Sequence, residues 1–181
     1  MNLELQLSDE HDAHILKNLW PLYTHEISEF EGVAINRHGL LCEDEEVETL
    51  ADLGETLNGW WEHPKSLFPY LILVDGCPAG FNLIAKHAHV PESIDADVIV
   101  YGFFVLHAFR GKGVAERAAV AGFDEHRGRW EVVTYPTHPR AIAFWRKVLG
   151  TYAPDAHTEA EMDHPWGRKV AFHFDNTLAS T

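Results

Sequence analysis

The chain has 181 residues, 46% of them hydrophobic, with six Trp and ten Phe, enough to bury one sizeable core within single-domain length. Its 28 acidic against 14 basic residues give a formal charge of -14, which repels a phosphate backbone and argues against general nucleic-acid binding, so any anionic ligand has to be held by a local device. Cys42 and Cys77 are too few for a disulfide framework, the start MNLELQLSDEHDAH lacks the basic and apolar parts of a secretory leader, and no apolar run approaches the roughly 20 residues that span a bilayer; the cytoplasm is the expected compartment.

Ser8 has the character of an N-cap, and Ile15, Leu16, Leu19, Leu22 and Tyr23 recur at helical spacing through a segment that Pro21 should kink or interrupt. This predicts a helix, or a pair of helices, reaching Phe30. The stretch from Cys42 reads as a second helix with Val47, Leu50, Leu53 and Leu57 on one side and Pro64 beyond its end, its acidic start at Glu43 to Glu48 solvated and favoured by the helix dipole. Ser66 to His87 holds two apolar runs around Asp75-Gly76, a hairpin signal.

A third strand, DVIVYGFFVL from Asp97 to Leu106, leads into Arg110-Gly111-Lys112-Gly113. Two glycines there strip side chains from the backbone where the first amides of a helix have no internal partner, which makes the corner a seat for an anion. A helix is predicted from Val114 to about His126, with Ala115, Ala118, Ala119 and Gly122 letting it lie close on a sheet. A strand follows from Trp130 to Tyr135, then a helix that Pro139 opens and Gly150 closes, then two strands around Tyr152–Glu161 and Arg168–Phe174. This order gives a mixed α+β fold, of the broad α/β type, with a mostly antiparallel sheet covered by helices and one crossover.

At the glycine corner the chain resembles the GCN5-related N-acetyltransferases, the GNAT family. Arg110-Gly111-Lys112-Gly113-Val114-Ala115 fits their acetyl-CoA motif R/Q-x-x-G-x-G/A. Val105 stands five residues before the Arg, where the family ends its strand, and His138-Pro139-Arg140-Ala141-Ile142-Ala143-Phe144-Trp145 is similar to the family's N-x-x-A-x-x-F-Y helix start. The likeness covers about residues 69 to 175. It implies a single domain over 1–181, with a helical acceptor side in 1–65 and the sheet and acetyl-CoA core in 66–175.

The resemblance further implies that the amides from Gly111 to Ala115, with the charges of Arg110 and Lys112, hold the pyrophosphate of acetyl-CoA. Phe103, Phe104 and Val105 would pair with its pantetheine arm, opposite Val132 to Tyr135, and His138, Arg140, Ala141, Phe144 and Trp145 would close the other side. An acceptor amine would attack the thioester directly. Trp145 stands where many members carry a Tyr acid, His138 where they carry Asn, and Ile99 where some carry a Glu base. The base is then sought in Tyr101, Asp97 or a water chain, and the acid in Tyr152.

The acidic surplus favours a cationic acceptor, a small-molecule amine or a basic peptide end. A homodimer is a partner the resemblance allows. The rival reading is a CoA-binding or sensing module that keeps the fold without turnover; the acyl length stays open. A dinucleotide fingerprint lacks its third Gly, and a phosphate-binding loop of the G-x-x-x-x-G-K-[ST] type is absent. The pairs His87/His89 and His11/His14 come with no matching ligand set, so no metal is expected. Trp20, Phe30, Trp60 and Trp61 read as core or acceptor-pocket wall.

Overall fold

The computed structural model describes residues 1–86 and 89–177. Seven strands form one sheet in the order β1-β2-β3-β4-β5-β7-β6, with β1 at Leu3–Leu7, β2 at Leu67–Val74, β3 at Cys77–Lys86, β4 at Val98–Val105, β5 at Arg129–Thr134, β6 at His157–His164 and β7 at Gly167–Asp175. Every neighbouring pair is antiparallel except β4 and β5. That parallel pair needs a crossover, supplied by helix α4 at Val114–Glu125. Among the described residues no helix is long and apolar enough to cross a membrane.

The two faces of the sheet carry separate cores. On one, α4 and α5 (Pro139–Tyr152) cover Trp130, Phe172 and Phe174, with Phe123 and Leu149 fully buried against them. On the other, α1 (Ala13–Ile27), α2 (Leu50–Glu55) and the single turn α3 (Gly59–Glu62) lie over the sheet, where Leu16, Leu71, Phe81 and Leu83 are sealed from solvent. The small face of α4 brings it against the sheet closely enough that a Cβ at Gly122 would stand 2.5 Å from the Asn82 side chain.

The N-terminal reading needs correction. Leu3, Leu5 and Leu7 alternate into a strand that pairs with β2, and Ser8 ends it by donating its N–H to Pro69 O (2.9 Å), so Ser8 is no helix cap. Helix α1 starts at Ala13 after Asp12, which gives no side-chain cap, and it runs unbroken past Pro21. The acidic stretch Glu43 to Glu48 is loop, because the buried Asn36 side chain takes the carbonyls of Asp44 (2.9 Å) and Val47 (2.7 Å) that a helix would commit internally. The helix expected there begins only at Leu50, behind a capping box of Thr49 and Asp52.

The hairpin signal corresponds to a two-residue turn, Asp75 (φ 50) and Gly76 (φ 78), joining β2 to β3. At the other end of the chain, Gly150 lies inside α5, which stops at Tyr152. His11 and His14 are both exposed on the surface, and His87 lies outside the described residues. Among the described residues no group of three or more His, Cys, Asp or Glu converges as a metal site.

Candidate active site

The site is opened by a fault in β4. Leu83 pairs with Gly102 and Ile84 with Val100, so Tyr101 is an extra residue with no partner on β3, a β-bulge that bends the strand. The alternation slips by one there: Val100 and Phe103 both pack toward α5, while Ile99 and Phe104 face α1. Beside the bulge, β4 and β5 part. Their pairing runs Val98↔Trp130, Ile99↔Glu131, Val100↔Val132 and ends. Beyond it, Phe103 to Val105 face Val133 and Thr134 across a gap with no ladder between them.

That gap is a cavity of about 340 Å³. Its walls are β4 from Val100 to Val105, β5 from Val132 to Thr134 with Tyr135 just beyond it, the start of α5, and Tyr23, Glu26 and Ile27 of α1. Phe103 stacks on Phe144 at 5.6 Å and meets the edge of Trp145 at 5.3 Å, so the floor is aromatic.

The outer end of the cavity is the glycine corner. Gly111 (φ 72) and Gly113 (φ 73) are both left-handed, a conformation costing other residues about 1–2 kcal/mol. A Cβ built on either would meet nothing within 4 Å, so the backbone there is open on its outer side. Gly113 caps α4, whose first helical bond is Arg117 N–H to Gly113 O at 3.2 Å. The amides from Val114 to Glu116 therefore find no acceptor within the helix, as an anion seat requires. Val114 is itself buried in the core and does not line the cavity, unlike Gly111, Ala115 and Glu116 around it.

The two cations of the corner are differently placed. Lys112 Nζ donates to Ala108 O at 2.9 Å on the surface. Arg110 turns inward: Nε donates to Val105 O at 2.6 Å, and Nη1 and Nη2 fork onto Glu26 at 2.7 and 2.6 Å. Burial by itself would raise the Glu26 carboxyl, but the hydrogen bonds and charge of Arg110 hold it below the usual carboxylate range. Glu116, also on the cavity wall, is paired with Lys147 Nζ at 2.8 Å.

On the α5 side, His138 is the N-cap: its Nδ1 accepts from Ala141 N–H at 3.3 Å. The ring stacks on Phe30 at 3.8 Å, and burial depresses its pKa, consistent with a neutral imidazole protonated at Nε2. Arg140, Ala141, Phe144 and Trp145 line the cavity as expected.

The residues expected to move protons are divided by the structure. Tyr101 reaches the cavity from the bulge, half-exposed between the edges of Trp60 (5.3 Å) and Trp166 (5.6 Å). Asp97 does not line it. It stands where β4 and β5 are still paired, forked onto Arg129 (Oδ1 3.0 Å), with Asp95 on the same guanidinium. Tyr152 is also absent from the wall. It ends α5 roughly 20 Å along the axis from the first turn, packs on Phe123 and Phe174, and donates to Asp124 Oδ1 at 2.9 Å.

Two other phenols do line the cavity, Tyr23 of α1 and Tyr135 just past the end of β5, and burial raises both well above the ordinary tyrosine value. The Tyr23 hydroxyl lies 3.8 Å from where a Cβ on Gly102 would stand, beside the bulge. Lys169 Nζ sits over the Tyr135 ring at 3.6 Å. Tyr23 shows in the sequence only as an apolar helical position, and nothing local marks Glu26, whose partner Arg110 is 84 residues away.

A model of the acetyltransferase (GNAT) family matches residues 23–151. A search of the curated proteins finds no match. Among solved structures, an acetyltransferase from Thermus thermophilus is similar at a TM-score of 0.62 and 18% identity, over 97% of this chain and 98% of that one. The aminoglycoside acetyltransferase AAC(6')-Ib in complex with coenzyme A and kanamycin gives 0.64 and 19%, over 97% and 95%. The ribosomal-protein-S5-alanine acetyltransferase of Vibrio fischeri gives 0.63 and 14%, over 100% and 97%.

Proposed function

The chain belongs to the GNAT acetyltransferase family, and from that premise we propose that it moves the acetyl group of acetyl-CoA directly to a primary amine of a small-molecule or peptide acceptor. The observation that carries this reading is the loss of pairing between β4 and β5 after Val100↔Val132, in a cavity whose wall includes Gly111, with the open backbone of Gly113 two residues further on. A thioester arm can lie in the gap with its pyrophosphate on the corner amides. Acceptor and thioester then meet at the bulge, below α1. We take residues 1–65 as the acceptor-side wall and 66–175 as the acetyl-CoA core of one domain, a division supported by Tyr23, Glu26 and Ile27 sharing one cavity with β4 and β5.

In the transfer a C–N bond forms, the C–S bond breaks, the amine loses a proton and the departing sulfur takes one. No covalent intermediate on the protein is needed. The residues suited to deliver the second proton are the cavity phenols. Tyr23 is the best placed, because its hydroxyl, protonated at neutral pH like that of any tyrosine, lies beside Gly102 on the cavity wall. Tyr101 is the most exposed of the cavity phenols.

A second reading, a CoA-binding module without turnover, is favoured by one feature: Ile99 stands where some members of the family carry a base, and the carboxylate across from it, Glu131, is held by His164 (3.0 Å) and His173 (2.8 Å). Calorimetric titration with acetyl-CoA, followed by thiol release with a panel of primary amines, separates the readings. Binding with amine-dependent release supports transfer, binding without release supports the module, and no binding removes both.

A further inference from the structure

We infer that Glu26 is a shared carboxylate: it holds Arg110 while the anion corner is empty, and once a pyrophosphate draws the guanidinium away it becomes the seat for a cationic amine. This rests on the acetyl-transfer reading and names the class of acceptor its cavity takes, a polycationic amine.

The geometry makes the competition unavoidable. The guanidinium is a planar fork that fits a carboxylate or a phosphate in the same two-bond arrangement. Glu26 occupies both of its terminal nitrogens, at 2.7 and 2.6 Å, while Arg110 is the first residue of the corner whose next residue, Gly111, lines the same cavity as Glu26. A pyrophosphate on these amides would bring its charge close to the Glu26 carboxylate. That arrangement is favourable only if Arg110 turns at least part of its fork to the phosphate.

Glu26 would then be left on the cavity wall with its principal cation withdrawn. Its side chain is about one quarter exposed, so the loss is felt at reduced dielectric and a replacement cation is strongly favoured. The neighbours that remain are poor replacements. His107 is mostly exposed, with Nε2 3.7 Å from Glu26 Oε2, and His138 has its pKa depressed by burial. An ammonium entering past Tyr23 and Tyr101 supplies the missing charge. By linkage, the amine that takes Glu26 also frees Arg110 for the phosphate, so each ligand should tighten the other.

The experiment titrates the full chain with CoA by calorimetry, with and without spermidine as the cationic probe, for the parent, Glu26→Gln and Glu29→Gln. Glu29 lies in the turn just past the end of α1, exposed and outside the cavity wall, so it controls for the loss of one negative charge. The inference expects Glu26→Gln to bind CoA about fivefold or more tighter than the parent, Glu29→Gln to stay within about twofold, and CoA to tighten spermidine by about fivefold or more in the parent only. Equal CoA affinities for Glu26→Gln and Glu29→Gln overturn it, as does spermidine binding that ignores CoA in the parent. A parent that binds CoA and acetylates amines while Glu26→Gln changes neither affinity overturns this inference alone; a parent that does not bind CoA overturns the acetyl-transfer reading with it.

Discussion

The phenyl ring of Phe30 lies flat on the imidazole of His138, with centroids 3.8 Å apart and planes within 10° of parallel. The stack joins the end of the N-terminal helical region to the first turn of α5, and it holds the ring so that Nδ1 accepts from Ala141 N–H. His138 is thus a cap before it is anything chemical. His138→Asn, which keeps a capping acceptor, should stay within about 0.5 kcal/mol of the parent in urea unfolding, while His138→Ala should lose about 1 kcal/mol. Equal stability of the two variants would show that the cap contributes nothing.

Two glycines of similar appearance in the sequence should respond in opposite senses to alanine. Gly113 is left-handed at φ 73, so Gly113→Ala strains the backbone by about 1–2 kcal/mol and puts a methyl where the pyrophosphate would approach. Gly150 is inside α5 with nothing within 4 Å of a built Cβ, so Gly150→Ala should stabilise by up to about 1 kcal/mol. Thermal unfolding reads both changes, and acetyl-CoA titration should show at least about a tenfold loss for Gly113→Ala alone.

What could be read from the residues was what is local. The glycine corner, the hairpin at Asp75-Gly76 and the start of α5 are written in short spacings, and the structure has them where the spacings put them. The bulge at Tyr101 is not, because an extra residue in β4 is defined only by its register against β3. Nor is the ion pair of Glu26 with Arg110, which joins helix to corner across 84 positions. The strand Leu3–Leu7 was legible as alternation but stands beside a stronger helical pattern. Helix propensity in Glu43–Glu48 gave way to a single buried side chain, Asn36, that collects its carbonyls.

Tyr23 and Tyr152 are differently placed for the proposed acid role. The Tyr23 hydroxyl sits beside Gly102 on the cavity wall, whereas the Tyr152 hydroxyl is spent on Asp124 and accepts from Asn176 Nδ2 at 3.3 Å. Tyr23→Phe should lower kcat by about a hundredfold with little change in the KM for acetyl-CoA. Tyr152→Phe should leave kcat within about twofold while costing about 1 kcal/mol of stability through the lost hydrogen bond. A kcat loss in Tyr152→Phe at unchanged stability would return the acid role to that residue.

His126 should make the fold weaker in mild acid. It is buried at the end of α4, with Nε2 3.0 Å from the Tyr70 hydroxyl and its ring 4.4 Å from Phe68, and burial pushes its pKa down to about 4 from an ordinary 6.5. Between these values the unfolded chain binds a proton that the folded chain refuses, so stability rises with pH across that window. It is complete above about pH 6.5 and falls as the pH drops toward 4, by at most about 3 kcal/mol. His138, also depressed, adds to the same trend, so the informative quantity is the difference between parent and His126→Gln, which keeps a hydrogen-bonding group toward Tyr70 and does not titrate. Urea midpoints at pH 7, 6 and 5 should fall less steeply for His126→Gln than for the parent. Parallel slopes would mean that the imidazole is reached by water or a counter-charge in the folded state and that its burial does not set the acid limit.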